Sequence, residues 1–243
     1  MKYILSLLMT GLLVTSLAFA EDSTENEGKW GHESELSIVN VDGNTTGEIT
    51  SAKQKTEYKY QQNAYALTGR FVRVRSNNQE TARAWDFGAR FERMLSPMWS
   101  AFLGQTAESD VYSGYLQRDH TDVGGKLFFE KSAPTLFFAE AGFRYSKTLD
   151  TQGGTQHSNG LRLYSEFNRK PSQTLSYKIW LEYLPDLRRS EAYFINAEPS
   201  LSVMLSQILS LKTSYLMKYK SITTSATEKQ LDTTFTTSIV AKF

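Results

Sequence analysis

The feature that most constrains the fold is a strict alternation of residue types at the C-terminal end of the chain. In residues 231–243, every second residue is apolar or threonine, and the residues between them are mostly polar. A β-strand places successive side chains on opposite faces, so the pattern predicts a strand with two different faces. The pattern recurs upstream and predicts about twelve strands. They are 30–40, 48–59, 64–75, 81–93, 98–108, 118–130, 136–148, 160–169, 174–184, 192–204, 208–220 and 231–243.

The connections between these strands alternate in length. Short connections fall at 60–63, 96–97, 131–135, 170–173 and 205–207. Mostly longer ones, rich in Gly, Ser, Thr, Asn and Asp, fall at 41–47, 76–80, 109–117, 149–159, 185–191 and 221–230. An even number of strands with this layout is typical of an all-β, antiparallel transmembrane β-barrel, with short periplasmic turns and longer extracellular loops.

A soluble β-sandwich is the alternative fold, because it produces the same alternation. Two observations favour the barrel. The predicted strands are longer than the usual ~5–6 residues of soluble strands. Aromatic residues also cluster near the strand ends, as in the interfacial girdles of membrane barrels. These residues are Trp99, Phe129, Tyr145, Tyr183, Tyr193, Tyr219 and Phe243.

The N-terminal residues predict export. Lys2 precedes a short apolar run, and Ala18 and Ala20 form a small-residue cleavage site. This is the pattern of a secretory signal peptide at 1–20, removed after Ala20 on the Sec pathway, and the run is short for a membrane anchor helix. A polar lead-in at 21–29 and a barrel at 30–243 follow. The last strand ends on Phe243 and resembles the signal that the outer-membrane assembly machinery recognises. This resemblance predicts two partners, the assembly machinery and the lipid bilayer of a Gram-negative outer membrane.

Composition excludes several classes of function. The chain has no cysteine, which rules out disulfides and thiolate chemistry. Lys2 is the one charged residue of the predicted signal peptide, so the remainder carries 26 basic and 26 acidic residues. Without a basic field, nucleic acid is not an expected partner. No cofactor or metal motif is present either.

The polar face of the strands is where a function of the barrel has to lie. Its predicted acidic residues are Glu33, Glu35, Glu57, Asp86, Glu92, Asp122, Glu140, Glu166, Glu182, Glu198 and Asp232. Its predicted basic residues are Lys53, Lys55, Arg70, Arg90, Lys126, Arg144, Arg162, Lys178, Lys212, Lys218 and Lys242. Closely paired charges would fill the lumen, whereas spaced charges would line a narrow aqueous pore. The balance of signs predicts no strong preference for anions or cations.

The three histidines offer little catalytic chemistry. His32 is predicted at the periplasmic interface and His120 in the solvated region near an extracellular loop. Residues 154–160 resemble the Gly-x-x-His-x-Ser-Asn-Gly motif of outer-membrane phospholipase A, a twelve-stranded barrel. One residue is missing between His157 and Ser158, so in a strand the two side chains would point to opposite faces. We also expect the motif to lie in a loop. No catalytic residues are therefore predicted, and His157 with Ser158 remains the alternative.

A second resemblance covers most of the chain. Trp30 and Gly31 lead to Leu36, a Gly-Asn-Thr turn follows at 43–45, and the Thr-rich final strand ends on Phe243. These features resemble the YdiY-like family of salt-induced outer-membrane proteins, although Ser37 stands where a glycine is expected. The resemblance implies an outer-membrane barrel of unknown function linked to salt response, with no catalytic residues.

Three hypotheses about function follow. The first is a non-enzymatic barrel that acts as a narrow pore for ions and small solutes or as an envelope-stability element. The second is a surface-binding barrel that uses the loops at 109–117, with Val111, Tyr112 and Tyr115, and at 149–159. The third is a lipid-hydrolysing enzyme around His157.

Overall fold

The computed structural model describes residues 28–41, 47–132, 134–223 and 229–243. The predicted signal peptide, nearly all of the lead-in and the Gly-Asn-Thr turn lie outside the described residues. The strands are β1 (Lys29–Val41), β2 (Gly47–Tyr60), β3 (Asn63–Ser76), β4 (Gln79–Met94), β5 (Trp99–Asp110), β6 (Tyr115–Lys131), β7 (Thr135–Asp150), β8 (Thr155–Arg169), β9 (Leu175–Pro185), β10 (Tyr193–Met204), β11 (Leu209–Lys220) and β12 (Leu231–Lys242). In this part of the chain the one helical element is the 3₁₀ turn Val111–Ser113, and no helix is long and apolar enough to cross a membrane.

The twelve strands form a closed antiparallel barrel, as predicted from the alternation. Each strand pairs with its neighbours in sequence, and β1 pairs with β12 to close the ring. This closing seam is the shortest pairing, from Glu33↔Lys242 to Leu36↔Ile239. It is extended at one end by hydrogen bonds between His32 and Phe243, in which each backbone N–H donates to the other residue's carbonyl oxygen (2.7 and 3.0 Å).

The barrel has two different ends. The connections 61–62, 95–98, 132–134, 170–174 and 205–207 with residue 208 form one end, here called the turn end. The connections 77–78, 111–114, 151–154 and 186–192 form the other end, the loop end, where β1 and β11 end and where β2 and β12 begin.

Two groups of aromatic rings mark the outer wall. At the turn end, rings 4.7 to 6.3 Å apart between centroids follow one another from strand to strand, and these are Phe243, His32, Trp30, Tyr58, Tyr65 and Phe91. At the loop end, Tyr193 lies 5.7 Å from Tyr183 and 6.0 Å from Tyr219. Exposed apolar side chains such as Leu67, Leu103 and Leu181 cover the wall between them. An apolar band between two aromatic girdles is the outer surface expected of a membrane barrel.

Several strands extend further into the loop end than the sequence predicted. β8 begins at Thr155 rather than at residue 160, and β6 begins at Tyr115 rather than at residue 118. The connection between β3 and β4 is only Asn77 and Asn78, both with positive φ (49° and 63°), which asparagine tolerates in a tight hairpin turn. Beyond the apolar band, both faces of a strand are polar, so the alternation fades before the strand ends.

Candidate functional site

The inner face of the barrel carries the predicted charges. Residues that are direct cross-strand partners lie on the same face of the sheet. One row of such partners crosses β1 to β5 and consists of Glu35, Lys53, Arg70, Asp86 and Glu108. The same register places the other predicted acidic and basic residues on this face. Its members near mid-height are buried although they are polar, whereas the alternate residues are exposed and apolar.

Glu140 is the centre of the larger cluster of charges. Two nitrogens of the Arg90 guanidinium donate to its two carboxylate oxygens (3.0 and 2.8 Å), and Arg162 Nη1 donates to one of them (2.7 Å). Lys126 Nζ lies 3.8 Å away. Arg90 also donates to Glu92 (3.0 Å), so two carboxylates and three cations form one network. A carboxylate so deeply buried requires such compensation, because burial alone disfavours its charged form.

Glycines make room for this cluster. Gly124 and Gly142 are cross-strand partners on the inner face of β6 and β7. The ring of Phe102 lies over both, such that a Cβ at residue 124 would be 2.8 Å from Phe102 Cζ. The Arg90 guanidinium in turn lies 3.9 Å from the centroid of the Phe102 ring. The inner side of β4 to β9, where large side chains fold over glycines, is called the arginine wall below.

Further pairs extend the arginine wall towards β9 and the loop end. Arg144 makes two hydrogen bonds to Asp122 (2.7 and 2.8 Å), the bidentate geometry that a guanidinium provides. Arg162 Nε donates to Glu182 (2.7 Å), so Arg162 joins Glu182 to Glu140. Most of the charged groups of this wall are therefore held in fixed positions.

The opposite side of the lumen is built differently. The carboxylate of Glu35 accepts hydrogen bonds from Lys212 (2.8 Å), Ser238 (2.9 Å) and Lys53 (3.4 Å). Lys212 also lies 3.6 Å from Glu198. Small side chains surround this cluster on β10 to β12, β1 and β2, here called the serine wall. Its inner serines are Ser37, Ser51, Ser200, Ser202, Ser210, Ser214 and Ser238.

His120 does not have the solvated surroundings that were predicted for it near an extracellular loop, since its side chain is 12% exposed. It lies on the inner face of β6, with its Nδ1 2.7 Å from Ser146 Oγ and its Nε2 3.4 Å from Glu108. Arg118 Nη1 lies 3.4 Å from the same oxygen of Glu108. The difference follows from the register of β5 to β7, which places polar partners beside His120 on the inner face.

His157 and Ser158 lie in a strand, not in the predicted loop. His157 is the cross-strand partner of Lys147, and its Nδ1 is 2.6 Å from the hydroxyl oxygen of Tyr145 on the outer face. Ser158 is the partner of Ser146 on the inner face. The wall separates the imidazole from the hydroxyl, so His157 cannot activate Ser158 in this arrangement. Within the described ranges, no group of three His, Cys, Asp or Glu side chains could hold a metal ion.

The loop residues of the surface-binding hypothesis pack back against the barrel. The Tyr112 hydroxyl donates to the backbone oxygen of Glu80 (2.9 Å). The Arg118 guanidinium lies 3.9 Å from the centroid of the Tyr115 ring. The predicted loops at 109–117 and 149–159 are reduced to 111–114 and 151–154, which leaves little chain there for a binding surface.

Comparison with known proteins identifies the family. The model of the family described as "Protein of unknown function, DUF481" matches residues 34–243. The chain belongs to this family. The match agrees with the YdiY-like resemblance seen in the sequence. No curated protein matches the chain.

Solved structures share the architecture at low sequence identity. The NanC porin is 8% identical, with a TM-score of 0.54 over 88% of this chain and 98% of its own. The KdgM porin is 12% identical, with a TM-score of 0.48 over 88% and 99%. The translocator domain of the autotransporter NalP from Neisseria meningitidis is 10% identical, with a TM-score of 0.45 over 92% and 89%. The similarity to NanC supports the fold alone.

Proposed function

We propose that the protein is a non-enzymatic outer-membrane barrel whose lumen is a narrow, water-filled pore for ions and small polar solutes. The observation that carries the proposal is the number of strands that separate the two partners of each ion pair. Among the described residues, the most widely separated pair is Arg90 of β4 with Glu140 of β7, three strands apart. Opposite strands in a ring of twelve are six apart, so no ion pair in this part of the chain crosses the full lumen.

The path for water runs along the serine wall. Seven of its inner side chains are serines, whereas Phe102, Phe128, Phe138 and Tyr164 thicken the arginine wall. At the loop end, Lys218, Asp232 and Thr234 face inward and are nonetheless exposed, so solvent enters the barrel there. A barrel of twelve strands is wider than the ~8-stranded barrels whose side chains fill them.

The apolar band and its two aromatic girdles support a place in the outer membrane. Export by the signal peptide, cleavage after Ala20 and recognition of the final strand with Phe243 by the assembly machinery belong to the same proposal. The family resemblance supports a role in the response of the envelope to salt, in which controlled passage of small solutes would be useful.

A pair of neighbouring threonines tests the pore. Thr234 faces the lumen and Thr233 faces outward, and both are exposed. Thr234→Trp should lower the single-channel conductance of the full-length mature protein in a planar bilayer roughly two- to fivefold, because an indole occupies part of a passage only a few side chains wide. The matched Thr233→Trp variant places the same ring among lipids and should conduct as the wild type does.

Folding is verified for each variant by heat-modifiable migration on a gel. A folded wild-type barrel without discrete openings would refute the pore and favour an envelope-stability role for the paired charges. Equal conductance of the two threonine variants would also count against the proposal, since it would place the current outside the lumen.

A further inference from the structure

The charges of the lumen balance in number but not in exposure. Arg90 is 28% exposed where it meets Glu140, which is 4% exposed. Lys53 is 32% exposed where it meets Glu35, which is 3% exposed. In the other inner pairs of Lys or Arg with a carboxylate, the cation is also the more exposed partner, or the two are nearly equal.

The lengths of the side chains explain this asymmetry. Asp and Glu are short and remain near the strand from which they start, whereas Lys and Arg extend along apolar surface towards water. Arg90, for example, passes over the Phe102 ring before it reaches Glu140 on β7. The negative charges therefore lie close to the wall, and the positive charges lie closer to the lumen axis. A lumen with equal numbers of predicted acidic and basic residues then has a positive potential along its path.

Two lysines add to this potential without a carboxylate partner. Lys178, three residues from the start of β9 at the turn end, and Lys218, two residues from the end of β11 at the loop end, both face inward. Among the described residues, neither ammonium group lies within ion-pair distance (4.0 Å) of a carboxylate oxygen. A solute that crosses the barrel would pass one of them near each end.

We propose that the pore prefers small anions, with carboxylates as the class of organic solute that fits it. The exposed edges of Arg70, Arg90 and Arg118 provide the planar donors that carboxylates accept. The proposal rests on the pore described above. It differs from the sequence prediction of little selectivity, which followed from counting charges and not from their distance to the axis.

The reversal potential under a KCl gradient measures this preference. At about 0.1 M salt, where the screening length is about 10 Å, we expect chloride to permeate roughly fivefold better than potassium. Lys178→Gln with Lys218→Gln should reduce that ratio about twofold, because the carboxylates nearest to these lysines lie beyond ion-pair distance and offset their potential only in part. Lys147→Gln is the matched control, since Lys147 is exposed on the outer face of β7.

The outcomes separate this inference from the pore itself. If the protein forms no channels, both the pore and the anion preference are overturned. Channels that are non-selective or cation-selective would overturn the anion preference and leave the pore intact. A selectivity that the lumen variants do not change, or that Lys147→Gln changes equally, would also contradict the inference. Loss of the preference at 1 M KCl, where the screening length is about 3 Å, would support it.

Discussion

The two walls of the lumen stabilise a buried carboxylate in different ways. Each buries a carboxylate, Glu140 on the arginine wall and Glu35 on the serine wall. Around Glu140, the guanidinium groups of Arg90 and Arg162 provide the hydrogen bonds, and Arg90 lies over the Phe102 ring, which in turn covers two glycines. Around Glu35, two lysines and a serine hydroxyl provide the hydrogen bonds. The first arrangement is rigid and thick, and the second is adaptable and thin.

This difference indicates a division of roles within one barrel. The arginine wall fills its half of the lumen and holds its charges at fixed points. The serine wall leaves space, because many of its inner side chains are serines and its lysines have flexible stems. Stability is therefore expected to depend more on the arginine wall, and passage more on the serine wall.

The largest effect should follow from removing either of the two most deeply buried carboxylates, Glu140 and Glu35. In Glu140→Gln, the cations Arg90, Arg162 and Lys126 lose a negatively charged partner at a buried position. We expect the free energy of unfolding to fall by about 3–5 kcal/mol. Glu35→Gln should cost less, about 1–3 kcal/mol, because Lys53 and Lys212 can turn towards water. Urea unfolding in lipid vesicles, followed by tryptophan fluorescence, measures both.

Equal losses for the two variants would break the comparison between a rigid and an adaptable wall. Glu166→Gln is a useful reference on the same face, since Glu166 has a hydrogen bond from Tyr164 (2.7 Å) and no ion pair among the described residues.

The second effect concerns the glycines under Phe102. Gly124→Ala would place a methyl group 2.6 Å from the Cα of Gly142 and 2.8 Å from Phe102 Cζ, so the ring or the strand must shift. We expect a loss of about 1–3 kcal/mol, typical of overpacking. Gly104→Ala on the next strand is the control, because its nearest neighbouring atoms would be 3.8 and 3.9 Å away.

If both alanine variants unfold at the wild-type urea concentration, the close packing of the arginine wall has no energetic importance. A loss confined to Gly124→Ala would locate that importance at the contact of Phe102 with β6 and β7.

The smallest effect is expected at the rim of the serine wall at the turn end. Glu33 and Lys242 form an ion pair of 2.8 Å at the turn end, but Lys242 is largely exposed. Glu33→Gln should change the unfolding free energy by less than about 1 kcal/mol, because solvent screens exposed pairs. The same urea titration tests it, and a loss as large as that of Glu35→Gln would mean that depth in the lumen does not set the strength of these pairs.

The strands could be predicted from the sequence because one physical rule governs the apolar band. A membrane barrel exposes apolar residues to lipid at every second position, so β12, predicted at 231–243, was found at Leu231–Lys242. The start of β8 was missed by five residues. Its first residues, Thr155 to Asn159, are all polar because they extend past the band, and a polar run between glycines has the composition of a loop.

The partners of the charges could not be read from the sequence. Alternation assigns each residue to a face but carries no information on which strands meet across the closed ring. Arg90 and Glu140 are fifty residues and three strands apart, and their contact depends on the register of β4 to β7 and on the empty space over Gly124 and Gly142. His120 shows the same limit, because its contacts with Ser146 and Glu108 depend on the register of β6 with β5 and β7.

The short closing seam gives Glu35 a further importance. Glu35 belongs to β1, yet its carboxylate reaches Ser238 on β12 and Lys212 on β11, so its hydrogen bonds span the seam that the backbone joins over only a few residues. Until the first and last strands meet, these partners lie far from it along the chain. Full neutralisation of this carboxylate is thus coupled to completion of the ring, because an incompletely assembled chain leaves Glu35 with Lys53 of the neighbouring strand β2 as its remaining partner.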